Sequence, residues 1–241
     1  MKTKLNMDDN SAYGKNKDSI IYWEGNRNRV YHLYPSEKHF FLPVIKKSLS
    51  VLDVGCAAGG FKDIVHEINP IVYYTGIDVS DNLIQSARKR HPEASFCSYD
   101  GVTFPDKLGL YDLAYSFGVL HHVYDWYGIV KQMLSFSKKH VLFDLRLTSE
   151  NTINDIMKSY QKICFNGEWD GKTIISYNIN NIGEVIQKLM LITDKEDRID
   201  VFGYLAPPTK LAVTTQETVT MASIYIEKES SSPGFYCNIK Y

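Results

Sequence analysis

Short apolar runs alternate over roughly the first 150 residues with stretches whose apolar side chains recur every three or four positions. The short runs predict buried strands, and the recurring pattern predicts amphipathic helices. The predicted strands begin at Val51 and cover residues 71–77, 94–99, 111–117 and 140–145. The predicted helices cover residues 60–69, 81–91 and 125–137. Because strands and helices alternate, we expect an α/β fold with a doubly wound, Rossmann-like, mostly parallel sheet.

The region before the first strand is less regular. Residues 1–17 are polar, so we expect them to be mobile. A helix is predicted over residues 36–48, and Pro43 is expected to break or kink it. We interpret residues 1–48 as an N-terminal extension and helical lid, followed by a single domain over residues 49–241.

The region after the fifth strand departs from the simple alternation. Ser149 or Asn151 is predicted to cap a further helix that runs through Tyr160. Residues 163–181 show no clear period, and we interpret them as an insertion or flap. A helix and two alternating strands complete the order, and they cover residues 182–190, 198–205 and 218–227. The two late strands are expected to form a hairpin-like edge.

Composition narrows the class of protein. The chain has 241 residues and is 44% hydrophobic, which is enough for one sizeable domain with a core. Its 27 basic and 28 acidic side chains nearly cancel, giving a formal charge of -1. Because no global positive field attracts a phosphate backbone, nucleic acid is a disfavoured partner.

Cysteine usage and hydropathy indicate the compartment. Cys56, Cys97, Cys164 and Cys237 are scattered without a C-x-x-C pair, which favours a reduced, cytoplasmic setting and no metal site. No apolar run approaches the roughly 18 residues of a membrane span, and the first residues lack the apolar core of a signal peptide. We therefore expect a soluble protein without a membrane partner, while the oligomeric state stays open.

The turn after the first strand is the most informative stretch of the chain. An apolar run opens there directly into the small residues Gly55 to Gly60. Small side chains let backbone N–H groups and a helix N-terminus approach a ligand closely. Asp78 follows the second predicted strand, where a carboxylate can accept both hydroxyls of a ribose. The sequence thus predicts a nucleoside-bearing cofactor.

Two cofactor classes use this architecture. In the dinucleotide fingerprint G-x-G-x-x-G, Gly55 and Gly60 fit, but Ala57 puts a methyl group where the pyrophosphate needs bare backbone. With Asp53, Gly55 and Gly59 in place, the segment instead resembles motif I of the class I S-adenosylmethionine (SAM)-dependent methyltransferases. Ala57 departs from that family's middle glycine too, but SAM has no pyrophosphate.

The resemblance covers residues 49–147 and rests on motifs that occur in the family's order. It implies SAM as the cofactor and a seven-stranded sheet whose last strand runs antiparallel to the others. By this similarity Asp53 lies near the methionine ammonium, Asp78 holds the ribose, and Asp100 receives the adenine amino group. The cofactor-binding residues that it implies are Asp53, Gly55, Cys56, Ala57, Gly59, Asp78, Val79, Asp100, Gly101, Ser116, Phe117 and Gly118.

Two adjacent histidines are the candidates for proton transfer. Methyl transfer from a sulfonium is an in-line displacement, so holding donor and acceptor close supplies most of the catalysis and a base is optional. Where the acceptor is a hydroxyl or a protonated amine, His121 or His122 is the best candidate base, since histidine titrates near neutral pH. The stretch also resembles small-molecule methyltransferases in which a histidine only supports the cofactor pocket.

Substrate contacts are predicted from two regions. Tyr22, Trp23, Arg29 and Tyr31 are interpreted as part of a lid. Other candidates follow strands whose carboxyl ends face the cleft, and among them Arg146 is suited to grip a carboxylate or phosphate. The candidate substrate contacts are Trp23, Arg29, Trp126, Tyr127 and Arg146.

The leading hypothesis is a SAM-dependent methyltransferase that acts on an oxygen, nitrogen or carbon atom of a small metabolite. Nucleobase-amine methyltransferases carry an Asn/Asp-Pro-Pro-aromatic stretch after the fourth strand, where this chain has Ser116-Phe117-Gly118-Val119. The alternatives are an RNA methyltransferase that uses the basic and aromatic N-terminal residues, and a non-catalytic SAM-binding protein. A dehydrogenase is the third choice.

Overall fold

The structure is a computed structural model and describes residues 17–165 and 168–240. The segment predicted to be mobile therefore lies, up to residue 16, outside the described residues. The helices are α1 Lys17–Gly25, α2 Pro35–Ile45, α3 Gly60–Ile68, α4 Asp81–Arg90, α5 Trp126–Ser135 and α6 Ile182–Met190. The strands are β1 Ser50–Val54, β2 Tyr73–Asp78, β3 Ser95–Ser98, β4 Tyr111–Ser116, β5 Ser137–Thr148, β6 Tyr160–Phe165, β7 Glu168–Ser176, β8 Asn180–Asn181, β9 Arg198–Ala206, β10 Ala212–Val213, β11 Val219–Glu227 and β12 Gly234–Lys240.

One large sheet organises the fold. Its strand order is β3-β2-β1-β4-β5-β11-β9-β12, and the short β8 pairs with β5. Strands β1 to β5 pair in parallel, whereas β11 runs antiparallel to both β5 and β9. The predicted α/β fold with a doubly wound, mostly parallel sheet is confirmed.

Both faces of this sheet are covered, which explains why its strands are continuous apolar runs. In β1, the side chain of Val51 joins an apolar cluster that contains Phe41 and Ile45 of α2. The alternate side chains Leu52 and Val54 join the cluster on the other face, with residues of α5 and α6. The parallel strands therefore direct their carboxyl ends to a single open edge, where a ligand can bind.

The helix predicted to run through Tyr160 is absent. That segment contains turns and an isolated bridge from Ile153 to Ile179. The Asn181 side chain donates to the carbonyls of Ser149 and Glu150, at 3.3 and 2.7 Å, and so holds the chain in a loop. Ser149, one of the two predicted cap residues, thus serves a loop contact with a distant part of the sequence.

Two further predictions need correction at helix α2 and at the sheet edge. Helix α2 continues through Pro43 to Ile45, so the proline does not break it. The late strands β9 and β11 are antiparallel neighbours, as predicted, but β12 pairs in parallel with β9 and covers that edge. The sheet is therefore larger than the seven strands implied by the resemblance.

The region without a clear period forms a second sheet. Strands β10, β6 and β7 make an antiparallel sheet in that order, called here the small sheet. Its outer strand β10 comes from far along the chain, with Ala212 opposite Gln161. In the part of the chain that the structure describes, no helix has the length and apolar character needed to cross a membrane.

Candidate active site

A cavity of about 350 Å³ opens where β1, β2, β4 and β5 end. Its other walls come from the N-terminal residues 22–34 and from the small sheet. The predicted site residues that line it are Trp23, Gly55, Cys56, Ala57, Asp78, Val79, Gly101, Phe117, Gly118, His121, His122 and Arg146. The predicted residues that do not line it are Arg29, Asp53, Gly59, Asp100, Ser116, Trp126 and Tyr127.

The turn between β1 and α3 brings backbone to the cavity wall. Gly55 has a φ of +84°, and a Cβ at this position would overlap the Val119 side chain. The N–H groups of Gly55 and Cys56 donate to the Ile77 carbonyl at 2.8 and 3.1 Å. These bonds tie the turn to the end of β2, so that the turn and Asp78 form adjacent parts of one wall.

Ala57 in this turn adopts a φ of +47°, in the left-handed region. This conformation costs a residue with a Cβ roughly 1 kcal/mol. We expect Ala57→Gly to raise the free energy of unfolding by about 0.5 kcal/mol, because relief of strain exceeds the added flexibility of the unfolded chain. Urea unfolding measures the change. The matched variant Ala58→Gly, at a buried position, is expected to lose stability, and a loss in Ala57→Gly would contradict the strain argument.

Asp78 presents a fixed carboxylate to the cavity. Its Oδ2 accepts a hydrogen bond from the Ala57 N–H, and its Oδ1 accepts one from the Ser80 N–H, both at 2.9 Å. Burial raises the pKa of Asp78, while these backbone donors oppose the rise. Each carboxylate oxygen has lone pairs beyond the one used here, so Asp78 can also accept hydrogen bonds from ligand hydroxyls.

Asp53 does not reach the cavity, contrary to the expected place near the cofactor. Its carboxylate accepts a hydrogen bond from the Tyr74 hydroxyl inside the core, and the residue is 2% exposed. Its side chain points into the sheet face, between the neighbouring strands that carry Tyr74 and Tyr115. Burial raises the pKa of Asp53 to about 7, although hydrogen bonds from the two tyrosines oppose the rise.

This raised pKa predicts a loss of stability as the pH rises. The folded chain holds the Asp53 proton up to about pH 7, whereas the unfolded chain releases it near its ordinary value of 3.8. Asp53 therefore contributes stability that is present below about pH 4 and is lost as pH rises through 7. Between about pH 5 and pH 8, we expect wild type to lose roughly 3 kcal/mol relative to Asp53→Asn, which cannot titrate. Urea unfolding at both pH values measures this difference, and a pH-independent difference would contradict the raised pKa.

Three other predicted cofactor residues have structural contacts instead. The Asp100 carboxylate closes an exposed turn by accepting hydrogen bonds from the N–H groups two and three residues later, at 2.8 and 2.7 Å. That turn presents Gly101 to the cavity. The Ser116 hydroxyl donates to the Val54 carbonyl at 2.8 Å, and Gly59, with a φ of +79°, is the N-cap residue before α3.

The two histidines lie at the cavity but are weaker bases than expected. His121 is buried, and its Nδ1 has no hydrogen-bond partner among the described residues. Burial and the nearby Arg146 guanidinium lower the pKa of His121 well below its usual value. His122 contacts the Ser176 carbonyl through Nδ1 at 2.6 Å, and burial lowers its pKa to about 4. The expectation of near-neutral titration is corrected, because both rings stay neutral at pH 7.

Arg146 belongs to a buried ion pair on β5. Its Nη1 donates to Asp144 Oδ2 at 2.7 Å, and both side chains are 3% exposed. The other oxygen, Asp144 Oδ1, accepts from the Gly118 N–H at 2.6 Å. The Nε of Arg146 has no hydrogen-bond partner among the described residues. Asp144 thus anchors one end of a guanidinium group that lines the cavity.

Trp126 is a core residue and Tyr127 a partly buried one, which corrects their prediction as substrate contacts. Trp126 is 1% exposed, and its ring packs on Phe143 with centroids 6.3 Å apart. Its Nε1 donates to Asn180 Oδ1 at 3.1 Å. Tyr127 packs against the same apolar cluster. The first turn of α5 therefore directs Trp126 and Tyr127 at this cluster, whereas Ile129 of the same turn lines the cavity.

Arg27 connects the N-terminal residues to the rest of the site. Its guanidinium forms an ion pair with Glu37, which is 0% exposed. The same group lies 4.7 Å from the ring centre of Tyr34 and 4.9 Å from that of Phe61. Burial raises the pKa of Glu37, and the charge of Arg27 opposes that rise. This arrangement holds residues 22–34, the N-terminal cover, against α2 and α3.

The predicted lid residues divide between the cavity and solvent. Tyr22 and Trp23 line the cavity, as does Arg27. Arg29 and Tyr31 are exposed and do not line it, although Tyr34, further along the same segment, does. The lid role of this segment stays a prediction.

The small sheet supplies cavity residues that sequence reasoning missed. Lys162 and Lys210 come from its strands and connections, together with Gln161, Thr209 and Leu211. The Lys162 ammonium lies 4.9 Å from the ring centre of Trp169. No local motif marks these positions, since they meet only through pairing of β6 with β10.

Comparison with protein families gives one match of wide coverage. Residues 22–163, more than half of the chain, match the family described as "Methyltransferase domain". The match begins in the N-terminal cover and extends through β5 into β6.

Individual relatives are more distant. A tRNA (carboxymethyluridine(34)-5-O)-methyltransferase of Saccharomyces cerevisiae is 38% identical over 71 residues, which cover 30% of this chain and 24% of the relative. The chain thus matches about a quarter of that protein's length. A SAM-dependent methyltransferase structure from Clostridium acetobutylicum has a TM-score of 0.55 at 13% identity, covering 87% of this chain and 97% of that one. A Brevibacillus brevis O-methyltransferase structure with S-adenosyl-L-homocysteine (SAH) has a TM-score of 0.54 at 12% identity, covering 83% and 82%.

Proposed function

The chain belongs to the class I SAM-dependent methyltransferases, with SAM as its methyl donor, and on that premise we propose that the cavity is the active site, in which the protein methylates a small molecule. The observation that carries the proposal is the Asp78 carboxylate, which is buried, fixed by two backbone N–H groups and still lines the cavity. A carboxylate held in this way suits the two hydroxyls of a ribose. Family membership also favours an enzyme over a non-catalytic SAM-binding protein.

The residues around Asp78 suit the other parts of SAM. Val79, Leu83 and Tyr99 give the adjoining wall an apolar character that fits an adenine ring. The turn at Gly55 and Ala57 leaves backbone exposed for the amino-acid end, and Arg27 offers a positive charge for its carboxylate. Of the predicted cofactor residues, Asp53, Gly59 and Ser116 are proposed to act by shaping this wall, and Asp100 by shaping the Gly101 turn.

The chain's own contribution to the chemistry is mainly alignment. SAM supplies a methyl group on a sulfonium when bound. The walls formed by Trp23, Arg146 and the small sheet hold an acceptor against it and exclude water, and such positioning supplies a large part of the catalysis. His121 and His122 are proposed to support this wall as neutral rings, because their lowered pKa values make them weak bases.

A second candidate is methylation of RNA. It is favoured by the yeast relative, whose name specifies a carboxymethyluridine in tRNA, and by Lys162 and Lys210 beside the cavity. The nearly neutral charge of the chain supports the small-molecule proposal instead, since RNA binding depends on positive surface charge. A cytoplasmic location and the division of the chain at residue 48 stay predictions.

A transfer assay separates the two candidates. The protein is incubated with SAM carrying a radioactive methyl group and, separately, with a cell extract's small-molecule fraction and with total tRNA. We expect label in the small-molecule fraction. Label in tRNA alone, with binding that weakens steeply as salt increases, would establish the RNA candidate instead. Label in neither fraction would contradict both.

A further inference from the structure

The charges that line the cavity are mostly positive. Arg27, Arg146, Lys162 and Lys210 line it, whereas Asp78 is the one acidic residue among the described residues that do so. Glu37 and Asp144 partly neutralise the two arginines from behind the wall. The two lysines have no acidic partner in the described part of the chain. The side of the cavity formed by Arg146, Lys162 and Lys210, called here the acceptor side, therefore attracts an anion.

Arg146 is prepared to bind a planar anion. Its Nη1 donates a hydrogen bond to one oxygen of Asp144, and the Gly118 N–H donates to the other oxygen. The ion pair therefore fixes the guanidinium without using its Nε, which is buried and makes no hydrogen bond of normal geometry among the described residues, while the nearby Tyr177 hydroxyl interacts with the same guanidinium. Buried donors are rarely left unpaired, so this atom calls for a ligand. The edge of a guanidinium that contains Nε matches the two oxygens of a carboxylate.

From this arrangement we propose that the acceptor carries a carboxylate, that Arg146 binds it, and that the product is a methyl ester. The inference rests on the proposed function, because it needs SAM in the cavity. Two kinds of acceptor could supply this carboxylate: a small carboxylic acid, or a uridine that carries a carboxymethyl group.

The transfer balances without a base. A lone pair of the carboxylate oxygen forms the new bond to the methyl carbon, and the carbon–sulfur bond breaks with its electron pair going to sulfur. The sulfonium becomes a neutral thioether, the acid becomes a neutral ester, and no proton leaves the acceptor. This agrees with His121, which burial and Arg146 keep from accepting a proton. The ester no longer carries the charge that Arg146 binds, which favours product release.

The stability of the transferred label to alkali tests the proposal. The small-molecule fraction and tRNA are labelled separately, as in the transfer assay, and then treated with mild alkali. We expect the label to be released as volatile methanol, because alkali cleaves esters and leaves ethers, N-methyl and C-methyl groups intact. The fraction that yields methanol identifies the source of the carboxylate. Alkali-stable label would overturn the inference while leaving the methyltransferase proposal intact, whereas no label in either fraction would overturn both.

Variants of the arginine give an independent measurement. Arg146→Lys keeps the charge beside Asp144 but loses Nε, and we expect kcat/KM for the labelled acceptor to fall about 30-fold while the Kd for SAM changes less than twofold. Arg198→Lys is the matched control, because Arg198 and Asp200 form a similar ion pair within β9, away from the cavity. We expect this control to change neither kcat/KM nor the Kd for SAM. Equal losses of acceptor and SAM affinity would indicate a structural role and overturn the assignment.

A double variant tests the role of Arg146 even if the single variant does not fold. If Arg146→Lys does not fold, the double variant Asp144→Asn and Arg146→Gln removes both buried charges together and avoids an unpaired carboxylate. We expect it to bind SAM and to lose the acceptor selectively. Retention of ester formation at the wild-type rate in this variant would overturn the role of Arg146.

Discussion

Asp78→Asn is expected to raise the Kd for SAM about 30- to 100-fold. A neutral amide replaces the charge-assisted acceptor that we propose for the ribose hydroxyls, a loss of about 2–3 kcal/mol. The amide also turns its NH₂ group toward one of the two backbone donors, Ala57 N–H or Ser80 N–H, that now fix the carboxylate. Equilibrium titration of each variant with SAM measures the effect.

The matched control is Asp81→Asn, a nearby carboxylate that is exposed in the first turn of α4. We expect its SAM affinity to stay within about twofold of wild type, since exposed charges at a helix N-terminus act locally. Thermal unfolding of both variants shows whether they are folded at the titration temperature. Wild-type SAM affinity in folded Asp78→Asn would contradict the assigned ribose contact.

Arg27→Met is expected to lower the free energy of unfolding by about 3 kcal/mol at neutral pH. The substitution leaves Glu37 in the core without its ion-pair partner, although the Tyr34 N–H still donates to it at 2.7 Å. It also removes the cation from between the rings of Tyr34 and Phe61. Because this contact holds the N-terminal cover, the variant should also bind SAM more weakly. Urea unfolding and SAM titration measure the two effects.

The double variant Arg27→Met and Glu37→Gln separates charge from packing. A glutamine can still accept from the Tyr34 N–H but carries no charge to bury, so we expect recovery of about half of the lost stability. The loss in the single variant should also shrink at acid pH, because Glu37, whose pKa is already raised by burial, then becomes protonated. A single variant as stable as wild type would refute the role of this pair.

Local sequence patterns predict much of the cavity wall that we propose for the cofactor. The strand from Val51, the turn at Gly55 and the acid at Asp78 are successive in sequence, and their positions follow from strand alternation and the meeting of parallel strand ends. The prediction of cavity residues was wrong for Gly59, Asp100 and Ser116, and also for Asp53. Its side chain lies on the face where Tyr74 and Tyr115 of neighbouring strands meet it, which depends on sheet pairing.

The acceptor side was harder to predict, because distant parts of the chain build it. The pairing of β6 with β10 brings Lys162 and Lys210 to the same cavity, and no sequence motif predicts that pairing. Trp126 is predicted to contact a ligand because its partners Phe143 and Asn180, from β5 and β8, are distant in sequence and cannot be recognised there. Arg146 is predictable because it follows the predicted strand 140–145, but its orientation depends on the ion pair with Asp144 inside the longer strand β5.

A crystal structure of the complex with SAH shows where the cofactor binds. We expect adenosine in the cavity, its ribose hydroxyls within hydrogen-bond distance of the Asp78 carboxylate, and its sulfur facing the wall that contains Arg146. Adenosine bound elsewhere, or in the cavity with its ribose away from Asp78, would refute the proposed cofactor site.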